Sequence, residues 1–351
     1  MKSEKIAKLA GVSRSTVSRV INNYPNVPQE TREKVMKVIE KYHYEPNTCA
    51  RVLAGKATNT IGLFVISMTD QENPNRIYQN NYFAPFVDAV VDCANVLGYY
   101  VLIHTVYRTE DYLKVKQAFS QKRIDAGIMI GTEKDQEILH SIVEMGYPTA
   151  IIDYDAEEIT AQEEKYGNLV IINSTDYEGT TQAINYLIQL GHRDIGIIKG
   201  RLNTYSGKVR FAAYVDALEK KGLPVNEDFI IEGAFLKKAA YEGTEKMVHR
   251  GKLPTALFSS NDDMALSAME VFKDNGIRVP EDISVIGFDD VPVISQITPA
   301  LTSVKVPVYE MAKKAVEAVI EMHAQEQYRL QKYVVRTELM LRETCAKAKM
   351  M

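Results

Sequence analysis

The sequence is poor in cysteine and has no long apolar run, and these two absences argue against a disulfide-rich protein and against a membrane protein. Its three cysteines, Cys49, Cys93 and Cys345, are widely spaced and form no CxxC pair, which predicts reduced thiols rather than a disulfide framework or a metal site. No apolar stretch approaches the roughly 18–20 residues that a membrane span needs. The charged first five residues lack the apolar core of a signal peptide, so we expect a cytoplasmic protein without an export signal.

The sequence also lacks the common signatures of enzymes and of bound cofactors. It contains no GxGxxG, GxxxxGKS/T, HExxH or GxSxG motif, and its six histidines form no pair with metal-ligand spacing. The adjacent carboxylates Asp289 and Asp290 could serve glycoside hydrolysis, but neighbouring residues of a strand point to opposite sides. We therefore expect neither catalysis nor a cofactor.

What the sequence does contain is a pair of short helices around a sharp turn near its N-terminus. Apolar residues recur at helical spacing on both sides of the turn: Ile6, Leu9, Val17, Val20 and Ile21. Between them, Gly11 supplies left-handed backbone and Ser13 a helix N-cap. The second helix keeps arginine and hydroxyl side chains off its apolar side, which suits the major groove of DNA. This pattern predicts a helix-turn-helix, with an ordinary helical hairpin as the alternative.

A third helix and a segregation of charge support this interpretation. Residues 29–44 repeat apolar side chains at helical spacing, namely Val35, Val38, Ile39 and Tyr42, enough to close a small three-helix core. Residues 1–58 carry eleven Lys or Arg against five Glu, a net charge of +6, whereas the rest of the chain carries −10. A basic head on an acidic body is expected where one end of a protein meets phosphate.

A short linker follows the head. Asn47 can cap a helix of about two turns at residues 48–54, which Gly55 would end. Such a helix is shorter than the ~12–15 residues at which an isolated helix becomes marginally stable in water. We therefore expect it to be disordered alone and to form on binding. This divides the chain into a head at residues 1–46, a hinge at 47–58 and a body at 59–351.

In the body the pattern changes to alternating strands and helices. Strand-like apolar runs lie at residues 61–66, 100–106, 126–130, 149–152, 169–172, 195–199, 229–232, 256–259 and 283–288. Helical patterns lie between them, at residues 83–97, 176–190, 209–221 and 262–275. Continuous apolar strands that alternate with helices predict an α/β fold with doubly wound parallel sheets. About nine strands exceed what one core usually carries, so we expect two similar lobes.

Polar residues follow these strands at the positions where such sheets bind ligands, beyond the carboxyl ends of the strands. They comprise two carboxylates, an amide, a guanidinium and an aromatic ring: Asp153, Asp289, Asn261, Arg210 and Phe235. Such a set suits the vicinal hydroxyls and the ring face of a sugar. For each carboxylate taken alone, a helix N-cap is the structural alternative.

These segments resemble the lactose-repressor family of bacterial transcription regulators over essentially the whole chain. In the head, the matching segments are IAKLAGVS (6–13), TVSRVIN (16–22), TREKV (31–35), YEPN (44–47) and LAGK (53–56). In the body they are LGHRDI (190–195), NDDMA (261–265), VIGFDD (285–290) and ELMLRET (338–344). The resemblance implies a homodimer whose paired heads bind a near-palindromic DNA operator. It also implies a two-lobed body similar to periplasmic sugar-binding proteins, with one effector in the cleft.

The resemblance further implies roles for single residues. Arg14 and Ser15 take the positions of the family's base-reading pair, and Leu53 that of the hinge wedge in the minor groove. The remaining DNA-binding positions are Thr16, Ser18, Arg19, Asn47 and Ala54, and the five cleft residues above fall on effector positions. We expect the N-terminal lobe at about residues 59–168 and 302–328, and the C-terminal lobe at about 169–298 and 332–346.

Three features depart from the family pattern. Val306 stands where many members have Gln, which removes one polar contact to the effector, and the loop at residues 69–82 is longer than usual. No leucine heptad follows the body, which favours a dimer over a tetramer. The alternatives are a co-repressor-dependent regulator that senses a non-sugar ligand, a sugar-binding transport protein and a sugar-processing enzyme. The cleft carboxylates argue against an anionic ligand.

Overall fold

The structure, a computed structural model, describes residues 1–21, 24–44, 57–67, 80–132, 137–155, 159, 166–325 and 328–349. The chain forms two compact units, Met1–Thr58 and Asn59–Met351. The helix expected at residues 48–54 and most of the loop at 69–82 lie outside the described residues. In the described part, no helix is both long enough and apolar enough to cross a membrane.

The described residues of the first unit form three helices, α1 (Ser3–Ala10), α2 (Arg14–Ile21) and α3 (Gln29–Lys41). The turn between α1 and α2 forms as predicted. Gly11 has a φ of 65°, and Ser13 Oγ accepts a hydrogen bond from the backbone N–H of Thr16 at 3.0 Å. The helices enclose a small core of Ile6, Ala7, Ala10, Val17, Val20, Val27, Val35 and Tyr44.

Two apolar residues expected in this core lie outside it. Leu9 is 45% exposed, because Ala10 rather than Leu9 shares the buried side of α1 with Ile6. Tyr42 is 43% exposed, because α3 ends one residue before it and Tyr44 is buried in its place. The buried side of α1 therefore consists of Ile6 and the two small residues Ala7 and Ala10.

In the second unit, the residues that the structure describes form two six-stranded sheets. The strands are β1 (Thr60–Ile66), β2 (Tyr100–Val106), β3 (Ala126–Ile130), β4 (Thr149–Ile152), β5 (Leu169–Ser174), β6 (Ile195–Lys199), β7 (Ile230–Glu232), β8 (Ala256–Ser259), β9 (Ser284–Asp289), β10 (Thr302–Lys305), β11 (Gln331–Val335) and β12 (Glu338–Met340). The first sheet has the order β11-β5-β4-β3-β1-β2 and the second the order β12-β10-β9-β8-β6-β7. Their pairing is parallel except between β10 and β12.

Helices connect the strands and cover both sheets. They are α4 (Phe83–Val96), α5 (Tyr112–Ser120), α6 (Glu137–Val143), α7 (Asp176–Gln189), α8 (Tyr205–Glu219), α9 (Lys237–His249), α10 (Asp262–Asp274) and α11 (Val308–Gln325). Every residue of β3, β4, β5, β8 and β9 is buried, as parallel strands covered on both faces require. The predicted doubly wound α/β architecture is confirmed.

The two sheets define two lobes, and three of their strands contradict the boundaries expected from the sequence. β5 pairs with β4, so residues 169–174 belong to the first lobe. β10 pairs with β9, so residues 302–305 belong to the second lobe, whereas β11 returns to the first by pairing with β5. The boundary expected at residue 169 is wrong because an apolar run indicates a buried strand but not the sheet that it joins. The other two are wrong because β10 and β11 mix polar and apolar residues and lack such a run.

Candidate functional site

A cavity lies between the two lobes, at the carboxyl ends of their strands, and all five residues proposed from the sequence line it. Asp153 follows β4 in the first lobe. The second lobe contributes the other four, at the end of β9, beyond β8, beyond β7 and within α8: Asp289, Asn261, Phe235 and Arg210. The cavity leaves about 790 Å³ free of protein atoms, part of it open to solvent.

Arg210 is the centre of a buried network of polar contacts. It is 3% exposed, and its Nε donates to Asp176 Oδ2 at 2.7 Å while its Nη1 donates to the Ser260 carbonyl at 2.6 Å. Nη1 is also 3.4 Å from Asp289 Oδ1, and the guanidinium carbon lies 3.7 Å from the ring centre of Phe288. Burial opposes the positive charge, but the surrounding carboxylates outweigh it and raise the pKa of Arg210.

Asp176 is a residue of this network that the sequence pattern misses. It is fully buried in the first turn of α7, where it accepts hydrogen bonds from Arg210 and from the hydroxyl of Ser174. The rule that selects the other carboxylates, a polar residue just beyond a strand, also applies to Asp176. It escapes the pattern because β5 ends in the polar residues Asn173 and Ser174, so its apolar run stops at residue 172.

Asp153 presents a carboxyl group to the cavity from left-handed backbone, with a φ of 55°, which is uncommon for a residue other than glycine. Its Oδ2 accepts a hydrogen bond from the Tyr82 hydroxyl at 3.0 Å. Its buried Oδ1 receives none from the part of the chain that the structure describes. Burial, and then the charge of Asp176, raise the pKa of Asp153 to about 7. A buried oxygen without a donor is suited to receive a ligand hydroxyl.

This raised pKa predicts how stability depends on pH. Because the folded state keeps the Asp153 proton up to about pH 7, while an unfolded Asp releases it near pH 4, the stability that this proton contributes is lost as pH rises between these values. Asp153→Asn removes this dependence. We therefore expect the variant to gain stability relative to the wild type between about pH 4 and 7, as measured by urea unfolding at each pH.

Tyr82→Phe is the matched control for this measurement. It removes the hydroxyl that bonds to Asp153 Oδ2 but leaves the carboxyl group in place, so it should keep the wild-type trend with pH. An Asp153→Asn curve that runs parallel to the wild type throughout this range would contradict the raised pKa.

Asn261 and Asp289 reach the cavity from the two central strands of the second lobe. Asn261 caps α10, with its Oδ1 accepting from the backbone N–H of Met264 at 2.9 Å, so it combines a structural role with a place in the cavity wall. Asp289 has a φ of 111° at the end of β9. Burial raises the pKa of Asp289 well above the usual carboxyl range, although Arg210 opposes the shift.

Phe235 supplies the aromatic face of the cavity. Ala234 and Phe235 both have left-handed backbone, with φ values of 52° and 61°. The ring of Phe235 lies over Gly200, where any side chain would overlap it. The Arg210 guanidinium carbon is 6.0 Å from the centre of the same ring. The cavity thus combines carboxylates, a guanidinium and a ring face.

Val306, the position that departs from the family pattern, is buried in a neighbouring groove rather than in the wall of the cavity. This groove shares Tyr82 and Asp289 with the cavity. The loss of a polar side chain at this position therefore affects the groove directly and the cavity only through these two shared residues.

Polar contacts also join the two lobes close to the cavity. Lys208 Nζ of the second lobe lies 2.9 Å from Asp155 Oδ2 of the first. Asn81 Nδ2 of the first lobe donates to Asp263 Oδ1 of the second at 2.6 Å. These contacts hold the lobes against each other in the described conformation.

The head presents the predicted DNA-binding residues on the outer side of α2. Its core-facing residues are Val17 and Val20, whereas its outer residues are Arg14, Ser15, Thr16, Ser18 and Arg19, of which Thr16 is half-buried. The other three proposed DNA contacts, Asn47, Leu53 and Ala54, lie outside the described residues. An amphipathic helix with this outer side fits the recognition position of a helix-turn-helix.

A helix-turn-helix head and a two-lobed α/β body with a polar cavity between its lobes define a ligand-responsive, DNA-binding transcription regulator. Residues 4–47 match the model of the bacterial regulatory proteins of the lacI family, and residues 184–345 match a periplasmic binding protein-like domain. The chain belongs to the lacI family, which confirms the resemblance found in the sequence.

Individual relatives match nearly the whole chain. A probable HTH-type transcriptional repressor ExuR of Bacillus subtilis is 32% identical over 97% of this chain and 96% of its own length. The HTH-type transcriptional repressor PurR of Vibrio parahaemolyticus is 33% identical over 97% and 98%.

Solved structures agree with this assignment. The lac repressor dimer bound to operator and the anti-inducer ONPF is similar with a TM-score of 0.82 and 26% identity, over 99% of both chains. A complex of the transcriptional regulator CelR with cellobiose has a TM-score of 0.73 and 26% identity, over 98% of this chain and 99% of that chain.

Proposed function

We propose that this regulator is a homodimeric repressor whose affinity for a near-palindromic operator is controlled by a small sugar bound in the cavity between the lobes. The proposal rests mainly on one observation: the five residues proposed from separate parts of the sequence all line that cavity. The cavity lies in the second unit, whereas the helix proposed to read DNA lies in the first. We propose no catalytic role. We place the protein in the bacterial cytoplasm, at the nucleoid, because its proposed target is DNA.

The chemistry of the cavity favours a polyhydroxylated, uncharged ligand. Asp153 and Asp289 offer acceptor oxygens for hydroxyl groups, and Phe235 offers a ring face to the C–H side of a pyranose. Arg210 already pairs with Asp176, so it adds directional donors without adding an unpaired charge. The similar CelR structure contains cellobiose, which supports a carbohydrate for this cavity.

A panel of ligands tests the effector class. The purified protein is heated with monosaccharides, oligosaccharides and purine bases, and the shift of its melting temperature is measured for each. A ligand at ~100 times its Kd adds about 2.7 kcal/mol to the free energy of unfolding, so a sugar should stand out clearly. If only a purine shifts the melting temperature, the effector is a non-sugar co-repressor and not a sugar. Purine bases are in the panel because PurR repressors are among the relatives. Analysis of each mixture for reaction products tests the absence of catalysis.

The proposed hinge gives a prediction of its own. We expect Leu53→Ala to reduce both operator affinity and operator bending, because it removes the side chain proposed to wedge into the minor groove. Bending is measured by energy transfer between the two ends of a labelled duplex. The sugar-induced melting shift is the internal control and should not change. A stable helix at residues 48–54 of the free protein, detected by backbone NMR, would contradict folding coupled to binding.

A further inference from the structure

Two side chains at the start of α1 contact the residue proposed to read DNA bases. Arg14 Nε donates a hydrogen bond to Ser3 Oγ at 3.1 Å, and Arg14 Nη1 lies 3.4 Å from Glu4 Oε1. Both charged side chains are mainly exposed, Arg14 by 67% and Glu4 by 61%. The packing of α1 against α2 brings these residues, ten and eleven positions apart in sequence, together on the outer side of the head.

These contacts restrict the part of Arg14 that must be positioned for base reading. The guanidinium is a planar fork, and its two-pronged contact with guanine requires that plane to point along the base edge. A long side chain that is free on the surface would sample many orientations and would reach phosphates as readily as bases. The contacts of Ser3 with Nε and of Glu4 with Nη1 limit those orientations, and neither contact involves Nη2.

The negative charge of Glu4 is unexpected beside a residue that is proposed to contact DNA. The head carries nine basic residues against five Glu, and affinity for DNA comes largely from basic groups that neutralise phosphates. A carboxylate beside the reading residue opposes that general attraction. It also makes contact of Arg14 with a phosphate less favourable than contact with a base edge, because the carboxylate would approach the phosphate as well.

We propose that Ser3 and Glu4 are specificity-determining residues that position Arg14 for base reading, at the expense of affinity for DNA in general. This inference rests on the proposed base-reading role of Arg14. It assigns the start of α1 to the reading surface together with α2. Glu4 acts through Arg14 and is a positioning residue.

The test compares Glu4→Gln with the control Glu30→Gln. Both variants remove one negative charge from the head, but Glu30 is exposed on α3 and has no contact with Arg14 in the described structure. An operator is selected from a pool of random duplexes. The Kd of each variant is then measured for this operator, for each single base-pair substitution of it, and for an unrelated duplex.

Glu4→Gln should bind the unrelated duplex more tightly than the wild type and should lose roughly fivefold or more of its discrimination at the base pair read by Arg14. Glu30→Gln should keep the wild-type discrimination at every position. The double variant Glu4→Gln/Arg14→Ala should discriminate no worse than Arg14→Ala, since both changes act on one contact. Equal melting temperatures of the variants confirm that the head remains folded.

The possible failures are distinguishable. A wild type that selects no operator would overturn the proposed function itself. If Arg14→Ala relaxes the preference at one base pair but Glu4→Gln keeps it, the base-reading role stands and the positioning role is wrong. If Arg14→Ala weakens all duplexes equally, Arg14 contacts phosphate, and both the base-reading role and this inference are wrong.

Discussion

Replacing Arg210 by alanine is expected to lower the free energy of unfolding by about 3–5 kcal/mol, the usual effect of removing one partner of a buried ion pair. Asp176 has no exposed side-chain surface, so its carboxylate would remain buried without the guanidinium that now stabilises it. The same change should abolish the response of operator binding to sugar, because Arg210 lines the cavity and also contacts Asp289. Urea unfolding and an operator titration with and without sugar measure the two effects.

A paired variant separates stability from ligand response. Arg210→Met combined with Asp176→Asn removes the cation together with the charge that depends on it, so much of the lost stability should return. The sugar response should remain absent, since the guanidinium donors are still missing. If Arg210→Ala releases operator at the wild-type sugar concentration, the cavity is not the effector site.

Replacing Arg14 by alanine should reduce the ability of the protein to discriminate between operator sequences. One good two-pronged contact with guanine contributes ~1–3 kcal/mol of discrimination, and a homodimer makes this contact in each half-site. The loss should appear at one base pair of each half-site in a titration against singly substituted operators. The melting temperature should not change, because Arg14 is exposed and its surface ion pair contributes little to stability.

Lys37→Ala is the matched control for this prediction. It removes one positive charge from an exposed position of α3 and should leave the preference at every base pair unchanged. If Arg14→Ala instead weakens all duplexes uniformly and lowers the slope of log affinity against log salt by about one, Arg14 contacts a phosphate.

Much of the fold could be predicted from the sequence because its strands and helices have strong apolar patterns. Strands such as β3 and β4 consist mainly of apolar residues and lie at the predicted residues. The apolar pattern does not predict the strands at residues 302–305, 331–335 and 338–340, because they mix polar and apolar residues. Two of the chain passages between the lobes adjoin these strands, so the lobe boundaries expected there are wrong.

The cavity shows the same division between residues that a local pattern identifies and residues that only the tertiary structure reveals. Four of the five proposed residues share one local signal, a polar or aromatic side chain near the carboxyl end of a strand, whereas Arg210 lies in the helix that follows β6. Asp176 also follows a strand, but it escapes the pattern because Asn173 and Ser174 make the end of β5 polar although it is buried. Asn173 tolerates burial by bonding to both backbone groups of Tyr154. The contribution of Tyr82 depends on its distance from Asp153, which no sequence pattern encodes.

We propose that a sugar bound in the cavity changes the affinity of the protein for its operator, and that the operator changes its affinity for the sugar. The most direct test measures both affinities of the wild type: the operator Kd without and with saturating sugar, and the sugar Kd without and with saturating operator. Linkage requires the two Kd values to change by the same factor, and a coupling of 1–3 kcal/mol makes that factor about 5–150. We expect equal factors in this range. A sugar that binds tightly but leaves the operator Kd unchanged would contradict the proposal.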